Sequence, residues 1–247
     1  MSVEFRCLKP RPMATMRLAA IPFAGGGASV YRRLAAELPD WIELHAMQLP
    51  GHEDLASKPP LADWATAIDA ASRALDRLPQ GRLALFGHSL GALLALDLGA
   101  KMAPARVAHL FCAARPWPGA APPDAALFDR FDQLDDDGCL EALAATYGEA
   151  PQSFAHPEIR DFALPILRAD LALLKSRPRL AGQLSCPLVV YAGARDPVTS
   201  GADLAQWRRE TSGPFEIVTL PAGHYFLESE ALRLADDIAS RLAGTPR

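Results

Sequence analysis

The chain has no Cys-x-x-Cys pair, no excess of basic residues and no apolar run of membrane length, and each absence removes a class of function. Its four cysteines, Cys7, Cys112, Cys139 and Cys186, are widely scattered. That spacing disfavours structural zinc and a redox dithiol, and free thiols in a reducing cytoplasm are the simplest reading. Lys and Arg number 25 against 29 Asp and Glu, a net charge of -4, so there is no basic field to hold nucleic acid. The longest apolar stretch, Leu83 to Ala103, is broken by His88, Ser89, Asp97 and Lys101. It reads as a buried strand and helix, not a membrane span. Arg6, Lys9 and Arg11 are not followed by an uninterrupted apolar segment with a small-residue cleavage site, so no secretory signal is read. No metal site is expected.

Half of the 247 residues are apolar, ample for a large buried core, and the length allows one large α/β domain or two small ones; the segment pattern is read as a single domain over residues 1–247. Strand-like and helix-like segments alternate, which predicts an α/β fold with a mainly parallel sheet flanked by helices. The strands fall at Arg17 to Phe23, Ile42 to Gln48, Leu83 to Phe86, Val107 to Ala113, Pro187 to Gly193 and Phe215 to Leu220. Helices are expected from Ser29 to Leu38, along the face Leu61, Trp64, Ala65, Ile68, Ala71, Leu75 and Leu78 (entered through Pro59-Pro60), and from Ala92 to Leu98. A last helix carries Leu227, Ala231, Leu234, Ala235, Ile238 and Leu242 on one face.

The alternation stops between Arg115 and about Arg179. A Pro-rich entry leads there to helical segments at Asp124 to Leu134, Asp136 to Thr146 and Pro157 to Lys175. A helical insertion over about 115–180, between two strands of a parallel sheet, predicts a lid over the strand ends where ligands bind. Asp135-Asp136-Asp137 reads as a solvated helix N-terminus, not a cation site.

Gly87-His88-Ser89-Leu90-Gly91 lies between a short apolar run and a longer one. Strand, G-x-S-x-G, helix is the order a nucleophile elbow requires, with glycines where side chains would strike the neighbouring backbone. A serine hydroxyl needs a base, and the base needs an orienting acid. Asp196, in Gly193-Ala194-Arg195-Asp196-Pro197, and His224, in Pro221-Ala222-Gly223-His224-Tyr225, each follow a predicted strand. The plainer readings are a helix cap for Ser89, which would not require glycines two residues away on both sides, a loop histidine for His224, and a turn residue for Asp196, the favoured reading for that residue alone. Three such residues beyond three strand ends, in the order Ser, Asp, His, favour a catalytic triad. His156 precedes Asp196 and lies in the insertion, and His88 is assigned to packing. Ala24-Gly25-Gly26-Gly27 fits neither a Walker loop nor G-x-G-x-x-G. It suits an oxyanion hole built from the N–H groups of Ala24 and Leu90.

With these residues in place, the chain resembles the type II thioesterases, stand-alone α/β-hydrolases that accompany nonribosomal peptide and polyketide synthases. The likeness runs from about Arg17 to Glu230. It rests on Pro22-Phe23-Ala24-Gly25-Gly26-Gly27-Ala28 with Tyr31, Gln48-Leu49-Pro50-Gly51, Gly87-His88-Ser89-Leu90-Gly91-Ala92 and Leu164-Pro165-Ile166-Leu167-Arg168-Ala169-Asp170. Gly193 to Asp196 and Gly223-His224-Tyr225-Phe226-Leu227 complete it. One departure stands out: two arginines usually follow Leu49-Pro50-Gly51, and here His52 and Leu55 hold those places.

The resemblance implies an α/β-hydrolase fold with Ser89, Asp196 and His224 catalytic. It also implies hydrolysis of acyl or peptidyl thioesters from the phosphopantetheine arm of a partner carrier protein, with no cofactor of the enzyme's own. A cytoplasmic monomer that edits stalled synthases is expected. Arg115, Trp117, Phe128, Phe131 and Phe162 are candidates to line the entry, with packing the favoured role for each. The alternatives are a carboxylesterase or acyltransferase using the same serine, and a non-catalytic binding protein on a hydrolase fold.

Overall fold

The computed structural model describes residues 3–79, 81–103, 106–119, 124–151, 154, 156–178, 183–199 and 203–244. Seven strands form one sheet: β1 (Glu4–Cys7), β2 (Met16–Ile21), β3 (Ile42–Gln48), β4 (Arg82–His88), β5 (Val107–Ala113), β6 (Leu188–Gly193) and β7 (Phe215–Leu220). Their order is β1-β3-β2-β4-β5-β6-β7, and every pairing is parallel except β1 with β3. This is the expected mainly parallel sheet flanked by helices. β1 was not foreseen: Glu-Phe-Arg-Cys is short and carries no run of apolar residues. It adds to the sheet edge by backbone pairing, from Glu4 opposite Gln48 to Cys7 opposite His45.

The central strands are buried on both faces, as a sheet covered twice must be. Alternate residues enter opposite cores. Ile21, Leu85, Cys112 and Val190 join the core with α2 (Trp64–Leu75) and α3 (Leu90–Lys101). Ala20, Phe86, Phe111 and Tyr191 join the core with α1 (Arg32–Glu37) and α7 (Ala231–Ala243). α3 is buried from Leu90 to Gly99, which explains why its sequence is apolar on nearly every side.

Among the described residues three α-helices lie between β5 and β6, where the alternation lapsed: α4 (Ala125–Arg130), α5 (Asp136–Tyr147) and α6 (Pro157–Lys175). Asp135 caps α5, its Oδ1 accepting the Gly138 N–H at 2.8 Å, so the acidic triplet opens a helix. Asp97, on α3, anchors the far end of the insertion. It takes a bidentate pair from Arg177, at 2.8 and 2.9 Å, and the Trp64 indole N–H at 2.8 Å.

Several boundaries differ from the sequence reading for local reasons. α2 starts at Trp64, not at Pro59-Pro60, because Asp63 caps it by accepting the Thr66 N–H. β2 stops at Ile21, before Pro22, which has no N–H to donate. The first helix begins as a 3-10 turn over Ala28–Tyr31, and Leu227 precedes α7.

Candidate active site

β4 leads into Ser89 and α3 leaves it, so the serine sits between the C-terminal end of a central strand and a helix N-terminus. Its backbone has φ 55° and ψ -113°, a conformation that costs a non-glycine residue about 1–3 kcal/mol and persists only where the surroundings enforce it. The enforcement is visible. A Cβ on Gly87 would stand 2.0 Å from Gly91 O, and one on Gly91 would stand 2.1 Å from Ile21 O. Both contacts are with backbone, so neither glycine can carry a side chain while the turn keeps its shape. The Ser89 N–H donates to Ala113 O on β5 at 2.8 Å.

Asp196 and His224 come from the loops after β6 and β7. The two loops touch: Arg195 N–H donates to Ala222 O at 2.9 Å, and a Cβ on Gly193 would lie 2.3 Å from Gly223 O. His224 Nδ1 is 3.0 Å from Asp196 Oδ2, and both side chains are buried. Burial alone would raise the Asp196 pKa. The bonds from His224, the Val198 N–H and the Thr199 hydroxyl outweigh it and hold the carboxyl below its usual range. A carboxylate on Nδ1 leaves Nε2 as the ring's proton acceptor.

Among the described residues no hydrogen bond joins Ser89 Oγ to His224. In this type of site that contact commonly tightens only when substrate is bound. The elbow instead reaches the histidine loop through His88, whose Nε2 donates to His224 O at 2.9 Å. His88 is fully buried against Phe23, Phe226 and His224. Burial, helped by the nearby His224, pushes its pKa down to about 3. The neutral ring is thus both packing, as expected, and a tether for the His224 backbone.

Tyr147, at the end of α5, lies over the His224 ring with centroids 4.3 Å apart. Its hydroxyl donates to Asp124, which also takes Arg115 at 2.7 Å. Neither Tyr147 nor Asp124 was found from the sequence, since both lie in a segment whose motifs concern helix formation.

The N–H of Leu90 is the first of α3 and has no partner within the helix. Among the described residues the N–H of Ala24 likewise has no protein acceptor. The turn around it is closed by Gly26 N–H to Phe23 O at 2.9 Å. Next to it, the Gly25 N–H is held by Asp170 Oδ2 at 2.7 Å.

A family model described as "Thioesterase domain" matches residues 16–242. The chain belongs to that family. Thioesterase PikA5 of Streptomyces venezuelae is 32% identical over 246 residues, 97% of this chain and 85% of the relative. The medium-chain S-acyl fatty acid synthase thioesterase of Homo sapiens is 31% identical over 237 residues, 90% of this chain and 85% of that one. Among solved structures, the type II thioesterase BorB from the borrelidin biosynthetic cluster superposes with a TM-score of 0.85 at 31% identity, covering 97% of both chains. The α/β-hydrolase fold is that of the family.

In this thioesterase a cavity of about 590 Å³ opens beside the Ala24 loop, roofed by α6. Phe23, Phe154, Ile159, Phe162 and Ile166 give it an apolar lining. Of the five entry candidates, only Phe162 borders it. Arg115, Trp117 and Phe128 line a separate 210 Å³ recess, and Phe131 is buried core. Leu55 is buried, and His156 is exposed at the start of α6. Among the described residues one group, Cys7, Glu43 and His45, brings three possible metal-ligating atoms within 4.8 Å of one another. Glu43 already accepts from the Arg11 N–H and His45, with Arg17 Nε at 3.5 Å. The group ties the β1–β3 edge together. Among the described residues no helix is long and apolar enough to cross a membrane.

Proposed function

We propose that this chain is a serine thioesterase that releases acyl or peptidyl groups from the phosphopantetheine arms of carrier proteins, editing stalled nonribosomal peptide or polyketide synthases. Ser89 is the nucleophile, His224 the general base and Asp196 its orienting acid. The observation that carries the reading is the buried 3.0 Å contact between His224 Nδ1 and Asp196 Oδ2, on a loop tied through His88 to the strained elbow that holds the serine. Family membership and the likeness to thioesterases of biosynthetic clusters support the substrate class. The unit is a single hydrolase domain over 1–247. Its insertion at about 115–180 works as a lid, and it needs no partner copy.

Ser89 Oγ attacks the thioester carbonyl as its proton passes to His224 Nε2. The carbonyl oxygen becomes an oxyanion held by the N–H groups of Ala24 and Leu90, each such donor supplying about 2.7–4 kcal/mol in comparable sites. Collapse breaks the C–S bond, and the imidazolium returns the proton to the departing thiol. An acyl-serine remains. Water then attacks it, losing a proton to His224, and collapse of the second oxyanion frees the acid and restores the serine. Asp196 keeps the ring in the Nδ1–H tautomer throughout. The 590 Å³ cavity lies within the range of small-ligand sites and suits an apolar acyl group or a slender arm.

The experiment is release of a short acyl group from an acyl carrier protein by the wild type and by Ser89→Ala. Loss of release in the variant is expected, and retained release refutes the assignment. Simple oxygen esters hydrolysed faster than the carrier thioester would favour the carboxylesterase alternative. Failure of a fluorophosphonate probe to label Ser89 would favour a binding protein.

A further inference from the structure

His52 departs from the arginine usual after Leu49-Pro50-Gly51, and its surroundings bear on the loop that carries Ala24. The ring is buried, with 2% exposure. Its Nε2 lies 3.0 Å from Asp170 Oδ2 on α6, and its Nδ1 lies 3.3 Å from Pro50 O. The same carboxylate oxygen accepts the Gly25 N–H at 2.7 Å. Gln48 completes the link, with Oε1 accepting the Ala28 N–H and Nε2 donating to His52 O, both at 2.7 Å. Two ends of the glycine-rich loop are therefore fastened through one histidine segment.

Both ring nitrogens of His52 face oxygen acceptors. Only the imidazolium carries a hydrogen on each, so the geometry selects the charged form. We propose that His52, as a cation, and Asp170 are positioning residues: they fix the Ala24–Gly25 peptide through its N–H and, together with the Gly26 N–H on Phe23 O, hold the preceding Phe23–Ala24 peptide so that the Ala24 N–H is aimed for oxyanion binding. The proposal rests on the reading above that this N–H stabilises the oxyanion. Burial opposes the His52 charge, but the Asp170 carboxylate outweighs it and the pKa is raised above 6.5. The other charged groups facing this corner are also acidic: Glu53 beside it in sequence, and Glu158 from α6 across the cavity.

The sign follows from the raised pKa. The clamp is complete below about 6.5 and loosens as pH rises through the folded value, when one ring nitrogen loses its hydrogen and confronts an acceptor. Because the oxyanion exists only in the transition state, the loss falls on kcat more than on KM. A misplaced oxyanion donor costs on the order of tenfold to a hundredfold.

Two measurements on the full chain test this. Nitrogen NMR of the His52 ring should show both nitrogens protonated at pH 6.5, with the proton lost only at higher pH; a neutral ring there overturns the proposal. The kcat for acyl-thioester hydrolysis should fall on the alkaline side in step with that titration. His52→Arg, with a permanent cation, should retain hydrolysis and flatten the fall. His52→Gln and Asp170→Asn should lose roughly tenfold or more in kcat with KM changed less than about threefold. An active enzyme whose alkaline profile is the same in His52→Arg, or whose loss is confined to KM, refutes the positioning role. Absence of any Ser89-dependent hydrolysis in the wild type is a distinct result that defeats the underlying reading. If His52→Gln does not fold, the wild-type NMR titration and the His52→Arg profile still decide.

Discussion

Replacing Asp196 with Asn tests how the proposed base is held, because it changes charge and donor pattern with almost no change in shape. Asp196 accepts three bonds: from His224 Nδ1 at 3.0 Å and the Thr199 hydroxyl at 2.9 Å on Oδ2, and from the Val198 N–H at 3.0 Å on Oδ1. An asparagine can place its oxygen on only one side. If the oxygen keeps Val198, the amide NH₂ faces His224 Nδ1 and forces the hydrogen onto Nε2, so the ring cannot take the serine proton. If the oxygen turns to His224, the NH₂ confronts the Val198 N–H, and an unpaired buried donor costs about 1–3 kcal/mol. The first arrangement is the cheaper one, since the Thr199 hydroxyl can rotate to accept. A wrong tautomer lowers kcat by roughly 10⁴-fold in triads of this kind, a barrier rise of about 5.5 kcal/mol. The assay is release of free thiol from an acyl thioester under saturating substrate. Folding should survive: loss of one charge-assisted bond lowers Tm by about 2–4 °C per kcal/mol at this chain length. A folded Asp196→Asn enzyme within roughly tenfold of wild type would mean that Asp196 does not set the tautomer of a working base.

Other parts of the structure make independent predictions. Gly91→Ala places a methyl 2.1 Å from Ile21 O; because the obstacle is backbone, urea unfolding should show a loss at or above the usual overpacking range of about 1–3 kcal/mol, and a loss below that range would show that β2 and α3 can part easily. Arg177→Ala leaves Asp97 buried with, among the described residues, only the Trp64 indole as partner, so a loss of about 3–5 kcal/mol is expected in the same assay. The His88 pKa of about 3 against an unfolded value near 6.5 means that the unfolded chain takes up a proton the native one refuses. Stability from this site is therefore present above about pH 6.5 and is lost as pH falls toward 3, by roughly 5 kcal/mol in all. Unfolding free energies measured at pH 7 and pH 4.5 should converge in His88→Gln, and an unchanged pH slope would contradict the buried neutral ring.

What could be read from the sequence, and what could not, follows from the range over which each residue acts. The elbow was legible because its requirements are local: Gly87, Ser89 and Gly91 lie within five residues, and the steric reason for each glycine holds in any chain that makes the turn. The central strands were legible because burial on both faces writes a continuous apolar run. β1 carried no such mark, since an edge strand needs only backbone pairing. The helix starts were misplaced where a cap such as Asp63 decided the boundary. Around the candidate site the same division holds. Ser89, Asp196 and His224 could be picked out by their places after strands, whereas the groups that hold them act across long separations. His88 tethers His224 from 136 residues away, and His52 meets Asp170 across 118. Asp170 could be marked as part of a family motif, but only the fold shows that its carboxylate joins α6 to the Gly25 peptide. On the proposed reading, in which the insertion is a lid and Ala24 an oxyanion donor, this fastening of α6 to the Gly25 peptide couples access and catalysis physically. Any motion of α6 must carry Asp170 with it or break its bonds to His52 and Gly25.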